Sequence, residues 1–289
     1  MSIAREPTGL PARLSGLGRC LVMGVVNVTP DSFSDGGRFL DVERAVRHGL
    51  EQHAQGADIV DIGGESTRPG AERVPADVEQ SRVLPVIATL ADAGVPVSID
   101  TMRASTAVLA VDAGATIVND VSAGLADPEM LSAMADVSVP YVAMHWRGSS
   151  EHMDALAVYD DVVSEVRHEL RLRVEACVDA GVDRGRVVLD PGLGFAKTPD
   201  HNWALLQRIA DLDALDQPLL IGASRKRFLG SLLSDPITQE PRPVAERDAA
   251  TGALSALAAA SGVWAVRVHD VRSTRDAIEV ARAWRDGRG

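Results

Sequence analysis

The sequence predicts an α/β fold, a parallel eight-stranded TIM (β/α)8 barrel. Three observations lead there. Short apolar, β-branched runs such as Val187-Val188-Leu189 lack polar alternation, as strands covered on both faces do. Each run ends in polar residues, most often with Gly or Pro, and is followed by a segment with helical spacing. The unit recurs eight times along 289 residues, and a closed parallel barrel takes eight such units in about 250 residues. A doubly wound open sheet is the rival, but it normally uses fewer strands, and no G-x-G-x-x-G follows the first strand here.

Residues 1–19, mixing Gly, Pro and Arg, read as a flexible N-terminal extension, and 20–289 as a single barrel domain with no linker. The first strand is expected over 21–26, then the long loop 27–37 and a helix over 42–55, capped by Asp41 and ended by Gly56. A strand over 57–62, the loop 63–70 and a helix over 77–93 come next, with Pro85 as a kink and Gly94 as the stop. Strand three (95–99) ends in Asp100-Thr101 and precedes a helix over 102–113, and strand four (116–118) ends in Asn119-Asp120. Asp127-Pro128-Glu129 reads as a helix start, a capping Asp with Pro at the first position. Strand five (139–144) delivers His145 and Trp146 to a loop, and Val162, Val163, Val166, Leu170, Val174, Cys177 and Val178 mark a long amphipathic helix. Strand six (187–189) stops at Asp190, because Pro191, Gly192 and Gly194 forbid further ladder or helix. A helix over 202–215, strand seven (218–221), an Ala-rich helix over 244–260, strand eight (264–268) and a last helix to Trp284, capped by Ser273 or Thr274, complete the set.

Composition narrows the function classes. With 46% hydrophobic, 24% charged and 3% aromatic residues the chain is globular, with a core of Val, Leu, Ile and Ala. Lys plus Arg number 29 against 41 Asp plus Glu, and the net charge of -12 argues against nucleic acid or an anionic membrane as partner. Any anion site must then be a local cationic cluster. Cys20 and Cys177 make neither a disulfide framework nor a metal spacing. No signal-peptide h-region and no apolar run near about 18 residues is present, so a cytoplasmic location is expected.

In a barrel of this kind the carboxyl ends of all strands meet at one rim, where the active site sits. The strand-end residues are Asn27, Thr67 with Arg68, Asp100, Asn119, Met144 with His145, Asp190, Ser224 with Lys226, and Arg267 with His269. Taken singly each has a bland reading: Asp190 as a turn cap, His269 as a satisfied histidine, Arg225-Lys226-Arg227 as a solvated helix start. Taken together they exceed what solvated loops require. Asp100, Asn119, Asp190 and Lys226 can converge on a pocket with apolar Met144 and Phe195 nearby. Buried carboxylates need donors, and a flat heterocycle with an amino group beside a ring N–H supplies two, which suits a guanine-like or pterin-like ring. Asn27, Arg267 and His269, from strands one and eight, suit a phosphate or diphosphate with a divalent metal held by oxygen ligands. Ser224 is expected to cap the helix after strand seven and leave its N-terminus facing a carboxylate.

Seven blocks carry a family resemblance: the run from Asn27 to Gly37, Asp61-Ile62-Gly63-Gly64-Glu65-Ser66-Thr67-Arg68-Pro69-Gly70, Ser98-Ile99-Asp100-Thr101, Asn119-Asp120-Val121-Ser122, Asp190-Pro191-Gly192-Leu193-Gly194-Phe195, Gly222-Ala223-Ser224-Arg225-Lys226 and Arg267-Val268-His269-Asp270. Over 21–284 the chain resembles the dihydropteroate synthases of bacterial folate synthesis, above all actinobacterial members. The resemblance implies a transferase that joins 6-hydroxymethyl-7,8-dihydropterin diphosphate to 4-aminobenzoate and releases diphosphate. It implies that Asp100, Asn119, Asp190 and Lys226 hold the pterin, with Thr67, Met144, Phe195 and Gly222 also on the pterin diphosphate. Asn27, Arg267 and His269 would hold the diphosphate with Mg2+, the metal being bound at Asn27. Phe33, Thr67, Arg68, Pro69 and Ser224 would serve 4-aminobenzoate, where sulfonamides compete, and Asp35, Asp100, Lys226 and Arg267 would be catalytic. A homodimer is also implied. One departure is local: Arg147-Gly148-Ser149-Ser150 lacks the proline often seen in that loop. A pterin-binding methyltransferase barrel and a catalytically silent paralogue are the alternatives. The loops holding Thr67-Arg68-Pro69 and Ser224-Arg225-Lys226 speak against the first, and the presence of Asp35, Lys226, Arg267 and His269 against the second.

Overall fold

Runs that are apolar at nearly every residue leave no face for water, and all eight become strands of one sheet. A computed structural model describes residues 5–29, 38–65, 73–148 and 155–287. The strands are β1 (Leu21–Asn27), β2 (Ile59–Gly63), β3 (Val97–Asp100), β4 (Ile117–Asp120), β5 (Tyr141–Met144), β6 (Val187–Asp190), β7 (Leu220–Ile221) and β8 (Ala265–Val268). Their order is β6-β5-β4-β3-β2-β1-β8-β7, all neighbours parallel, and a parallel bridge from Leu189 to Leu219 brings β6 to the approach of β7. The ring is thereby nearly closed. Around it lie α1 (Arg38–Ala54), α2 (Ala76–Asp92), α3 (Ala104–Asp112), α4 (Met130–Asp136), α5 (Val162–Asp179), α6 (Pro199–Gln207), α7 (Ile209–Asp213), α8 (Arg227–Leu232), α9 (Asp248–Ala260) and α10 (Val271–Asp286).

Strand alternation splits the core in two. Outward residues such as Val22, Val60, Val97, Val118, Val187 and Val266 join the helices in one apolar layer with Val83, Leu90, Ala107, Leu170 and Ile278. Inward residues Met23, Ile59, Ile117, Val142, Val188, Leu220 and Ala265 form a separate plug inside the barrel. Each Val, Leu, Ile or Met among these contributes about 1.5–3 kcal/mol on burial, and each Ala less. Two residues further along the strands, on the same inward face, come Asp61, Asn119, Met144, Asp190 and Arg267. The polar row thus sits directly on a dry floor.

The described part of the N-terminal extension is packed rather than loose. Leu14, in a 3-10 turn (Ala12–Leu14), is buried in the plug, with Leu10 and Leu17 half-buried against it. Thr8 N–H donates to the Gly185 carbonyl at 2.8 Å, Arg5 pairs with Asp216 at 2.7 Å and with Asp213, and the Glu6 carboxylate accepts from Gly16 N–H. The physical reason is the open lower end of the barrel, whose apolar side chains need a cover.

Other differences are at element ends. Helix α1 begins at Arg38, so Asp41 lies in its first turn and does not cap it. Helix α4 begins three residues after Asp127, whose carboxylate accepts from Glu129 N–H and, at 2.8 Å, from Ala104 N–H at the head of α3. The segment expected as one helix over 202–215 is broken at Arg208, and the one expected over 244–260 starts with a 3-10 turn (Val244–Glu246). Strand β7 is two residues long, since its neighbour β6 is reached only through the single bridge at Leu219.

Candidate active site

The inward row begins with a charge knot. Asp61, fully buried in β2, accepts from Asn119 Nδ2 at 3.1 Å and from Arg267 Nε at 2.6 Å. Arg267 Nη2 donates to Asp100 Oδ2 at 2.7 Å, so one guanidinium serves two carboxylates. Burial pushes the Asp100 carboxyl up to about 7, against the pull of Arg267 and with Asp61 adding to the rise. For Arg267 burial alone would favour the neutral form, but Asp61 and Asp100 outweigh it and the guanidinium stays charged. Arg267, expected from sequence with the anion-binding residues, thus bonds directly to Asp100, expected with the ring-binding ones.

Across the mouth, Asp190 at the end of β6 is paired in register with Met144 at the end of β5. Its Oδ1 accepts from Gly192 N–H at 2.7 Å. Gly222 lies close by, where an added Cβ would stand 3.4 Å from Asp190 Oδ2. Burial raises the Asp190 pKa, while Lys226, that same N–H and Arg267 draw it down. Lys226 donates to the Leu193 carbonyl and places its Nζ 4.7 Å from the centre of the Phe195 ring. Burial drops its pKa to about 8, and Asp190 opposes that drop. Asp100, Asn119, Asp190, Lys226, Met144, Phe195 and Gly222 are thus all found at the mouth.

Asn27 ends β1 level with Gly63, which in turn is level with Asp100. Gly63 has only a hydrogen between them: a Cβ there would lie 3.5 Å from Asn27 Oδ1 and 3.7 Å from Asp100 Oδ2. Arg267 is level with Met23, four residues before Asn27 on β1, and reaches Asp100 through Nη2. Ser224 does not cap α8, whose N-cap is Lys226 without a side-chain bond. Its hydroxyl instead meets His269 Nδ1 at 2.9 Å and accepts from His269 N–H at 3.2 Å, so it orients that ring. His145 also departs from expectation. With Met144 facing in, strand alternation turns it outward, buried against Glu169 of α5 (2.8 Å) and Lys197 (2.9 Å). Phe33, Asp35, Thr67, Arg68 and Pro69 lie outside the described residues.

Two residues of this region escaped the sequence reading. Asp61 had a signal, a lone carboxylate inside the apolar run Ile59-Val60-Asp61-Ile62. Lys197 had none, since only the folded loop buries it. Among the described residues no three His, Cys, Asp or Glu side chains gather into a metal site.

A barrel whose mouth carries buried carboxylates, an amide and a lysine over a dry floor, with an arginine and a histidine at the adjoining seam, is an enzyme built around a flat hydrogen-bonding heterocycle with an anionic tail. Comparison with known proteins narrows the class. The family described as "Pterin binding enzyme" matches residues 23–269. The dihydropteroate synthase of Mycobacterium leprae is 55% identical over 264 residues, 91% of this chain and 93% of that protein. Among solved structures, the Xanthomonas albilineans dihydropteroate synthase in complex with 7,8-dihydropteroate superposes with a TM-score of 0.82 at 42% identity, covering 94% of this chain and 95% of that one. The Yersinia pestis dihydropteroate synthase with a sulfonamide drug gives 0.87 at 37% identity, covering 98% and 99%. The chain belongs to the pterin-binding enzyme family and, within it, to the dihydropteroate synthases.

Proposed function

We infer that the chain is a transferase of folate synthesis that condenses 6-hydroxymethyl-7,8-dihydropterin diphosphate with 4-aminobenzoate, giving 7,8-dihydropteroate and diphosphate. The observation that carries this reading is the convergence of Asp100, Asn119, Asp190 and Lys226 on one mouth with Arg267 bonded into the same cluster. Asp190 accepts from the ring's amino group and adjacent N–H, while Asn119 and Lys226 serve its acceptors. Met144 and Phe195 supply apolar walls, and Gly222 leaves Asp190 accessible from its side.

The arylamine is already a neutral nucleophile, so no activated Ser or Cys is required. Departure of diphosphate is the demanding step. Arg267 spends Nε and Nη2 on Asp61 and Asp100, which leaves its Nη1 hydrogens for diphosphate oxygens. His269, whose Nδ1 meets the Ser224 hydroxyl at 2.9 Å, is assigned to the same tail. Asp100 stabilises cationic character developing on the pterin methylene, so the displacement is dissociative and governed by electrostatics more than by proton transfer. Asn27 Oδ1 stands 3.5 Å from where a Gly63 Cβ would lie, an oxygen donor of the kind a hard divalent cation takes. Mg2+ held at Asn27 would supply positive charge to the leaving group. Phe33, Thr67, Arg68, Pro69 and Ser224 are assigned to 4-aminobenzoate and to sulfonamides that compete with it, and Asp35 to closure of the first loop. An Asp35→Ala enzyme of undiminished turnover would remove that last assignment.

The test is incubation with pterin diphosphate, 4-aminobenzoate and Mg2+ while diphosphate is followed. Stoichiometric release that depends on the arylamine supports the synthase; release without it indicates a hydrolase, and no release a binder. We also propose a homodimer, supported by Leu257 of α9 and Val280 and Trp284 of α10, apolar side chains 71%, 68% and 89% exposed that a second copy would cover. A solution mass of one chain would count against it. A cytoplasmic location is proposed as well; among the described residues no helix is long and apolar enough to cross a membrane.

A further inference from the structure

We propose that Lys197 is a positioning residue that holds the ring-binding half of the mouth in shape, acting through the backbone of the loop after β6; the proposal rests on the pterin reading above. Lys197 is buried, and its Nζ donates to three acceptors: His145 Nδ1 at 2.9 Å, the Gly192 carbonyl at 3.0 Å and the Phe195 carbonyl at 3.0 Å. An ammonium has three hydrogens, and here each has a partner.

Both carbonyls belong to peptides that reach the mouth. Gly192 accepts from Lys197 through its oxygen and donates through its N–H to Asp190 Oδ1 at 2.7 Å, so the two peptides that meet at this one residue link the ammonium to the carboxylate. Phe195 accepts through its oxygen and offers its ring to Lys226 Nζ at 4.7 Å. The tie has no slack at Gly192, whose φ is +67° and where a Cβ would come within 2.4 Å of the His145 carbonyl oxygen.

The anchor is itself braced from outside the barrel. With Nδ1 accepting from Lys197, the His145 ring carries its hydrogen on Nε2 and donates to Glu169 Oε2 at 2.8 Å. Arg147 holds Glu169 from Nε at 3.1 Å, bonds Glu165 and lies 3.9 Å above the centre of the Tyr159 ring. Burying an ammonium is costly, and desolvation draws the Lys197 pKa down to about 7. An apolar side chain could fill the same volume without that cost but could not tie the two peptides together.

The test is calorimetric titration of the folded full-length protein with two probes, pterin diphosphate alone and inorganic diphosphate alone. In Lys197→Met the Kd for pterin diphosphate is expected to rise at least about tenfold, while that for inorganic diphosphate moves less than about twofold. Equal weakening of both probes makes Lys197 merely structural, and no weakening removes its role; either overturns the proposal. Should Lys197→Met not fold, Lys197→Gln, which keeps a donor for one carbonyl, is read by the same two criteria. A wild type that binds the two probes equally defeats the pterin reading itself and this proposal with it, an outcome distinct from a variant that matches a discriminating wild type.

Discussion

Replacing Arg267 by Met removes the one guanidinium that Asp61 and Asp100 share. Breaking a buried pair from one side costs about 3–5 kcal/mol, because the partner is left charged and unsolvated. Arg267 keeps 22% of its side chain exposed, which favours the lower end, about 3 kcal/mol at pH 8. The cost depends on pH with a definite sign. The folded pKa of Asp100 is raised to about 7, above its unfolded value, so the folded state binds the extra proton and stability falls as pH rises between the two. Loss of Arg267 removes the attraction that holds this pKa down, which carries the falling window to higher pH. At pH 5.5 a proton shared at Asp100 relieves the variant, and the difference from wild type should shrink to about 1 kcal/mol. Urea denaturation of both proteins at pH 5.5 and pH 8 measures this. A difference that is equal at the two pH values, or larger at pH 5.5, would refute the shared-guanidinium argument.

Three further outcomes are expected. Asp190→Asn exchanges a charge-assisted two-pronged acceptor for an amide with one acceptor, and KM for pterin diphosphate should rise about 10- to 100-fold with the unfolding midpoint little changed; an unaltered KM in steady-state assays would remove Asp190 from ring recognition. Gly192→Ala forces a side chain into φ +67° and against the His145 carbonyl, so urea denaturation should show at least about 2 kcal/mol of lost stability together with weaker pterin binding. Leu14→Ala opens a void in the plug beneath the barrel and should cost about 2–4 kcal/mol by the same measurement while leaving KM for both substrates as in wild type, since the mouth lies above the plug.

What the chain carries locally was readable without coordinates. Eight largely apolar runs, each cut off by a polar residue, Gly or Pro, specify strand, turn and helix through neighbours in sequence. The period of two then dictates that Asp100, Asn119, Asp190 and Arg267 share the inward face with the plug residues below them. Side chains that depend on contacts distant in sequence were not readable. Asp61 and Arg267 are 206 positions apart and meet only because closure makes β8 and β2 both neighbours of β1. Lys197 looks like any loop lysine until β5 brings His145 to it from 52 positions away. Ser224 was assigned to the nearest helix, but β8 offers it His269 instead. The Leu residues before β1 gain a purpose only once a barrel exists whose lower end must be shut. Hydrophobic period acts over a few residues and is written in order along the chain, whereas a buried charge finds its partner through whatever the closed sheet puts within about 3 Å, and chain order carries no record of that distance.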